Sequence, residues 1–372
     1  MSKNKAAAAK GRRAFLTTAA IGGVAAAAAL SAPKVAKAQG PINLRFQSTW
    51  PSADIFHEYA QDFAKKVNDM TGGDLKIEVL PAGAVVPAFG LLDAVSKGTL
   101  DGGHGVLVYH YGKSSALGLW GSGPAYAMDA AMLTSWHRYG GGQQLLDKLY
   151  DSVGANVKSF LYGPMPTQPL GWFKKPVTKA EDFKGLKYRT VGISIDLFTA
   201  MGAAVNALPG GEIVSAMDRG LLDAAEFNNA SSDRVLGFPD VSKVCMLQSY
   251  HQNAEQFEIT FNKDKYNGLP DKLRAIIANA VDAAQGEFIM KSVDRYSNDY
   301  QAMQTAQNVK FYKTPDSVLR RQLELYDQIV DKKSAESPIF KEIVESQIRR
   351  SEEHTSELQS LAYLVCRLLL EK

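Results

Sequence analysis

The sequence predicts an α/β protein of two lobes, and three observations carry that prediction. Residues 186–227, LKYRTVGISIDLFTAMGAAVNALPGGEIVSAMDRGLLDAAEF, read as strand, helix, strand, helix, strand in about forty residues. A short pattern recurs: AVSKGTLDGG at 94–103 and AMDRGLLDAA at 216–225 both run from a helix end, through a glycine suited to a left-handed C′ position, into Leu-Asp or its equivalent and a strand. Strand-like segments at 167–173 (TQPLGWF) and 255–262 (EQFEITFN) flank the central block, as chain crossings between lobes would.

The elements follow in order. Residues 44–50 (LRFQSTW) alternate and have β character until Pro51 breaks the run. Residues 55–70 carry an apolar stripe at helical spacing and stop at Thr71-Gly72-Gly73. A strand at 75–80, a short helix at 89–97 closed by Gly98, and a strand at 100–108 come next. The repeat gives the lobes related units whose strands end at one edge, with His104 in one unit and Glu226 in the other. Residues 271–307 read as one helix of ~37 residues, or ~55 Å at 1.5 Å per residue, which exceeds one small domain and is expected to span both lobes. Helices at 316–333 and 338–349 complete the chain.

Both ends are expected to fall outside the mature fold. Lys3, Lys5, Lys10, Arg12 and Arg13 form a basic region without an acid, followed by a weakly apolar stretch at 17–30 and a small-x-small site at Ala36-Lys37-Ala38. Arg12-Arg13-Ala14-Phe15-Leu16 looks like a twin-arginine export motif, so 1–38 reads as a signal and the mature chain as beginning near Gln39. The apolar stretch is below the ~18 residues of a membrane span. Residues 350–360, RSEEHTSELQS, back-translate to a string resembling a common sequencing adapter, so 350–372 reads as an artefact and the natural frame as ending near Arg349.

Composition narrows the function classes. Setting aside the seven basic residues of 1–38, and the three basic and four acidic residues of 350–372, leaves 32 basic and 35 acidic residues, a net charge near −3. The formal +3 of the whole chain belongs to the signal, and nothing implies nucleic acid or an anionic membrane surface. Only Cys245 remains in 39–349, which excludes an internal disulfide and a cysteine-based zinc site. Histidines 57, 104, 110, 137 and 251 are scattered, and HExxH, GxSxG and P-loop motifs are absent. An exported metal-dependent lyase or hydrolase therefore has no motif behind it, and a role as a chemoreceptor partner is neither supported nor excluded. One constellation stands out: Arg189 ends the first strand of the central block and Glu226 ends the last. Ligands of open α/β sheets sit at those carboxyl ends, so a cation and a carboxylate there point to a small charged ligand.

The central block also carries a resemblance. FKGLKYR (183–189), Met201-Gly202-Ala203, Leu208-Pro209, Glu212, Ala216, Gly220, Asp223 and Glu226 resemble, in order, the pattern of the solute-binding proteins of TRAP transporters, the DctP-like family. STWP (48–51), LPAGAVV (80–86) and the GHGV…GK run at 103–113 resemble the subgroup that binds 2-oxo acids and lactate with a metal ion. The resemblance covers about 42–345. It implies a periplasmic binding protein fold, with lobe I at 41–166 plus 256–294 and lobe II at 167–255 plus 295–349. It implies capture of a small organic acid in the periplasm and delivery to membrane permease subunits, without catalysis. C4-dicarboxylates or sugar acids bound without metal are the alternative ligand class; a second arginine near Gln168 would favour a dicarboxylate, and none is evident.

The resemblance also implies roles for residues. Arg189 pairs with the ligand carboxylate, through a guanidinium able to make two parallel hydrogen bonds. Gln168, Glu226 and the carbonyl of Phe227 hold the metal, an all-oxygen set suited to sodium or calcium. Trp50, Tyr109, Tyr111 and His251 are further pocket candidates, as aromatic walls usually line small-ligand clefts. Two departures matter. Phe227 stands where the subgroup usually has tryptophan. Gln252 stands where an acid tends to follow the histidine matching His251, and a lost carboxylate favours a monovalent ion. The C-terminal extension is associated with dimers in that subgroup, so a homodimer is expected.

Overall fold

The computed structural model describes residues 40–165 and 167–358. The export signal expected over 1–38 lies outside the described residues, as does the suspect 350–372 segment beyond 358; its first residues, 350–358, are described and continue the last helix past the expected end at 349. Among the described residues, those from Ile42 onward belong to one compact unit. Its strands are β1 (Ile42–Ser48), β2 (Leu75–Leu80), β3 (Gly102–Val106), β4 (Val157–Pro164), β5 (Gly171–Phe173), β6 (Lys187–Arg189), β7 (Ala204–Asn206), β8 (Ala224–Ala225), β9 (Val244–Met246), β10 (Gln256–Asn262) and β11 (Lys310–Tyr312). Helices used below are α1 (Ile55–Met70), α2 (Ala130–Tyr139), α3 (Gly142–Ser152), α4 (Ser194–Ala200), α5 (Gly210–Asp218), α6 (Ala230–Val235), α7 (Asp271–Thr305), α8 (Asp316–Glu336) and α9 (Pro338–Leu358).

The strands make two sheets, ordered β2-β1-β3-β10-β4 and β11-β9-β5-β8-β6-β7. This is the two-lobed α/β architecture the sequence predicts. In the first sheet β1, β2 and β3 are parallel, and β10 runs antiparallel between β3 and β4. In the second, β6, β7 and β8 are parallel, and β5 runs antiparallel between β8 and β9. The chain enters the second sheet through β5 and returns to the first through β10. The strand in the first crossing begins only at Gly171; residues 167–170 are a connector.

The internal repeat is one turn built twice. Gly98 (φ +74°) and Gly220 (φ +71°) both adopt the left-handed conformation that glycine accepts without steric cost. The next amide closes the helix in both copies, Thr99 N–H on Ala94 O and Leu221 N–H on Ala216 O, each 2.9 Å. The aspartate then grips the start of the neighbouring parallel strand. Asp101 accepts the Arg45 N–H (2.8 Å) and returns its own N–H to Arg45 O (2.9 Å). Asp223 does the same with Lys187, at 3.2 and 2.8 Å. His104, however, lies inside β3 and not at its end. It is buried, accepts a hydrogen bond from Trp50 Nε1 at 2.8 Å, and lies parallel to the Phe257 ring.

Two helices hold the sheets in place. Asp54 caps α1 by accepting the Phe56 N–H at 3.0 Å, and Phe56, Tyr59, Phe63 and Val67 form its buried stripe. Helix α7 has 35 residues, about 52 Å at 1.5 Å per residue. It packs on α1 and β4 of the first sheet and on α6, which follows β8 of the second. Arg295 pairs with both Glu58 oxygens (2.7 and 2.8 Å), and Arg234 of α6 reaches Asp299 (2.6 Å). No helix of the described residues is long and apolar enough to cross a membrane.

Candidate functional site

The topology gathers the site from the carboxyl ends of strands in both sheets. Parallel strands present their carboxyl ends there: Trp50 follows β1, Tyr109 follows β3, Arg189 ends β6, and Glu226 and Phe227 follow β8. An antiparallel strand begins where its parallel neighbours end. The residues leading into the two crossing strands therefore reach the same site: Gln168 before β5 and Glu255 immediately before β10. Trp50, Tyr109, Gln168, Arg189, Phe227 and Glu255, with Asn228 and Gln252, line a small cavity of about 10 Å³.

Arg189 is 1% exposed and pairs with the fully buried Glu226. Its Nη1 donates to Glu226 Oε1 (2.9 Å) and to the Glu226 carbonyl (3.0 Å), and its Nε donates to the Leu208 carbonyl (2.9 Å). Only Nη2 is left without a partner. The two parallel hydrogen bonds expected from sequence are thus not both available, because the protein's own backbone and Glu226 occupy the other nitrogens. The Phe227 ring lies 5.7 Å from the guanidinium carbon, and Gly210 leaves it room: a Cβ there would stand 2.3 Å from the ring.

Four acceptor oxygens at this site also lack donors. Gln168 spends its Nε2 on Glu255 Oε2 (3.1 Å), which leaves Gln168 Oε1 and Glu255 Oε1 unpartnered, and Glu226 Oε2 is unpartnered too. Both amide atoms of Gln252 and the Nδ2 of Asn228 are likewise without partners. Buried polar groups are almost always satisfied, so this concentration at one cavity marks a place where other atoms bind. Burial pushes the Glu226 carboxyl up to about 7, against the pull of Arg189 and smaller contributions from Thr190 and the Val191 N–H. Burial, and then the charge of Glu226, push Glu255 well above the usual carboxylate range.

The donor set fits a hard cation, since all four free acceptors are oxygens. Among the described residues, no group of three or more His, Cys, Asp or Glu side chains could hold a metal by itself. A cation here would draw on the Gln168 amide oxygen and on oxygens of a bound acid. A larger cavity of about 180 Å³, lined by Trp172, Asp233, Cys245 and Tyr296 among others, has no Lys or Arg in its lining. Its acid is already satisfied, since Asp233 accepts Trp172 Nε1 (2.7 Å) and the Asn228 N–H (3.1 Å).

Of the residues read from sequence, the structure brings Trp50, Tyr109, Gln168, Arg189, Glu226 and Phe227 together and leaves two out. Tyr111 is half-buried beside the site, donating to Asp196 with Lys333 over its ring. The His251 ring faces Phe198 and Ser249 Oγ (2.7 Å). The carbonyl of His251 accepts from Gly123, Ser194 and Tyr326, and the next residue, Gln252, is the one that reaches the cavity. Glu255 is the residue that sequence reasoning missed. It is a carboxylate in the same cavity lining as Gln252. Its signal is positional, as the first residue outside the second crossing strand.

The family model for bacterial extracellular solute-binding protein family 7, DctP, matches residues 46–336. The chain belongs to the DctP family. The chain is 32% identical over 287 residues to a monocarboxylate 2-oxoacid-binding periplasmic protein of Nostoc sp., a match covering 73% of this chain and 78% of that one. It is also similar to two solved DctP-like structures, each with a TM-score of 0.81, 27% identity and 87% of this chain covered. One is a TRAP periplasmic solute binding protein from Colwellia psychrerythraea with bound calcium and pyruvate, covered over 99% of its length. The other is a TRAP periplasmic solute binding protein from Pseudoalteromonas atlantica with bound sodium and pyruvate, covered over 98%. DctP proteins bind solutes outside the cytoplasm and are not enzymes, in keeping with the sequence reading.

Proposed function

We propose that this protein captures a small 2-oxo or 2-hydroxy monocarboxylate in the periplasm, together with a sodium or calcium ion, and delivers it to the membrane permease subunits of a TRAP transporter. The observation that carries the reading is the set of unpartnered groups around one small buried cavity. Arg189 Nη2 is a charged donor for one carboxylate. Gln168 Oε1 and Glu226 Oε2 are acceptors for a cation bridging that carboxylate and the ligand's 2-oxygen. The Phe227 carbonyl completes the proposed metal set, with Trp50 and Tyr109 as the apolar wall. A lining with a single arginine and no other Lys or Arg suits a monoacid. The relatives bound to pyruvate support the same class.

In this reading the lobes divide at 41–166 plus 256–294 and 167–255 plus 295–349, with α7 as the shared spine. A homodimer uses the C-terminal helices. Calorimetric titration tests the ligand class: pyruvate, 2-oxobutyrate, larger 2-oxo acids, lactate, succinate and a sugar acid, each with sodium or calcium. Tight binding restricted to 2-oxo or 2-hydroxy monoacids is expected. Binding of succinate or a sugar acid alone contradicts it, and turnover of pyruvate contradicts the binding-protein reading altogether.

A further inference from the structure

Two contacts join the lobes beside the cavity without lining it, and their interpretation rests on the lobe division and function proposed above. The first uses Tyr111, which follows β3 of lobe I. Its hydroxyl donates to the Asp196 carboxylate of α4 in lobe II. Lys333 of α8 pairs with the same carboxylate at 3.1 Å and stands 5.1 Å from the centre of the Tyr111 ring. The second uses Asp54, the cap of α1 in lobe I. Its Oδ1 accepts the hydroxyl of Ser232, on α6 in lobe II, at 2.7 Å, and both residues are buried. Each contact lies a few residues beyond the cavity lining on both lobes. Trp50 and Asn228 lead to Asp54 and Ser232, and Tyr109 and Val191 lead to Tyr111 and Asp196.

Lys333 does not reach Asp196 from a loose helix. Helix α8 is fastened to the segment ahead of the second crossing strand. Gln322 Oε1 accepts the Ser249 hydroxyl (3.1 Å) and the Tyr250 N–H (2.9 Å), and the Tyr326 hydroxyl donates to the His251 carbonyl (3.1 Å). The Lys333 side chain is only 14% exposed, so its ammonium is held where Tyr111 and Asp196 meet. Both contacts exist only while the lobes are together. Contacts made in one state alone shift the balance toward that state, and a ligand's apparent affinity scales with the fraction of protein in the binding-competent state. We infer that Tyr111–Asp196–Lys333 and Asp54–Ser232 are two latches that hold the lobes closed over a bound acid, so that Tyr111 and Ser232 set its residence time without touching it. Tyr111 thereby gains a function that the cavity lining does not give it, and α8 gains one inside a single chain.

Tyr111→Phe and Ser232→Ala each remove one hydroxyl from a latch and leave the cavity lining intact. Stopped-flow fluorescence with pyruvate, in buffer containing calcium, gives the association and dissociation rates. Urea unfolding without ligand gives the stability of the fold. Each variant is expected to release pyruvate about tenfold faster or more, with an association rate within about twofold of wild type and a nearly unchanged unfolding midpoint. Tyr111→Phe combined with Asp196→Ala is expected to release pyruvate no faster than the faster single variant, because both remove one contact. A wild-type release rate in either variant removes that latch, and in both it overturns the inference, while pyruvate binding by the wild type upholds the functional reading. Faster release matched by an equal loss of unfolding stability also overturns it, since the contacts would then hold the fold and not the closed cleft. If the wild type binds no 2-oxo acid with sodium or calcium, the functional reading falls and the inference with it.

Discussion

Arg189→Lys separates two roles that one guanidinium combines. The first is neutralising Glu226, through Nη1 at 2.9 Å; the second is offering Nη2 to a ligand. Lysine keeps the charge, but a single ammonium cannot satisfy Glu226, the Leu208 carbonyl and a bound carboxylate together. The lost contact is a charge-assisted hydrogen bond of about 1.5–3 kcal/mol, which corresponds to roughly a 10- to 150-fold rise in the Kd for pyruvate. Arg189→Ala goes further, because it strands Glu226 in the interior, where breaking a buried pair costs about 3–5 kcal/mol of fold stability. Calorimetry reads the first effect, and urea unfolding without ligand reads the second. Arg189→Lys should therefore weaken binding while leaving the unliganded fold nearly intact, and Arg189→Ala should damage both. Wild-type affinity in Arg189→Lys would refute the assignment of Nη2 to the ligand. Equal unfolding midpoints for Arg189→Ala and wild type would refute the buried pair.

Two further substitutions probe the frame around the site. Gly171 has φ +124°, and a Cβ there would stand 2.4 Å from the Ala225 carbonyl oxygen and 2.9 Å from the Glu226 Cα; Gly171→Ala should cost about 1–3 kcal/mol in urea unfolding and weaken pyruvate binding by moving the end of β8. Glu258 is buried in β10, accepts from Tyr150 (2.7 Å) and Ser159 (2.6 Å), and has its carboxyl raised by burial from 4.5 to about 7. The folded state then holds an extra proton between those values, so stability falls as pH rises through that window, by about 3 kcal/mol in all. Glu258→Gln should flatten that slope and raise stability at pH 8 in a pH series of melts; an unchanged slope would count against it.

Much of this architecture was legible because its signals are local. The turn at Gly98 and Gly220 announces itself through a glycine, a Leu and an Asp that grips the next strand. The stripe of α1 and the length of α7 follow from spacing alone. Residues 109–156 were assigned no secondary structure because much of the stretch passes through short 3-10 turns, with left-handed Ala125, Tyr126 and Ala127; α2 and α3 stand within it. At the site, Arg189 and Glu226 could be placed because both end parallel strands. Glu255 could not, because it sits in an alternating run that hides where β10 begins. The occupation of Nε and Nη1 was illegible for a different reason: the Leu208 carbonyl meets Arg189 only through the tertiary fold. Tyr111 and His251 were chosen as aromatic and polar types near the right segment, and residue type does not specify which way a side chain turns.

The most direct test of the central claim is the affinity of chelator-treated residues 39–349 for pyruvate, with the cation as the only variable. The account predicts that affinity nearly vanishes in the stripped protein and returns on adding calcium, and that Gln168→Ala or Glu226→Ala abolishes the return. Full affinity without any cation would contradict it.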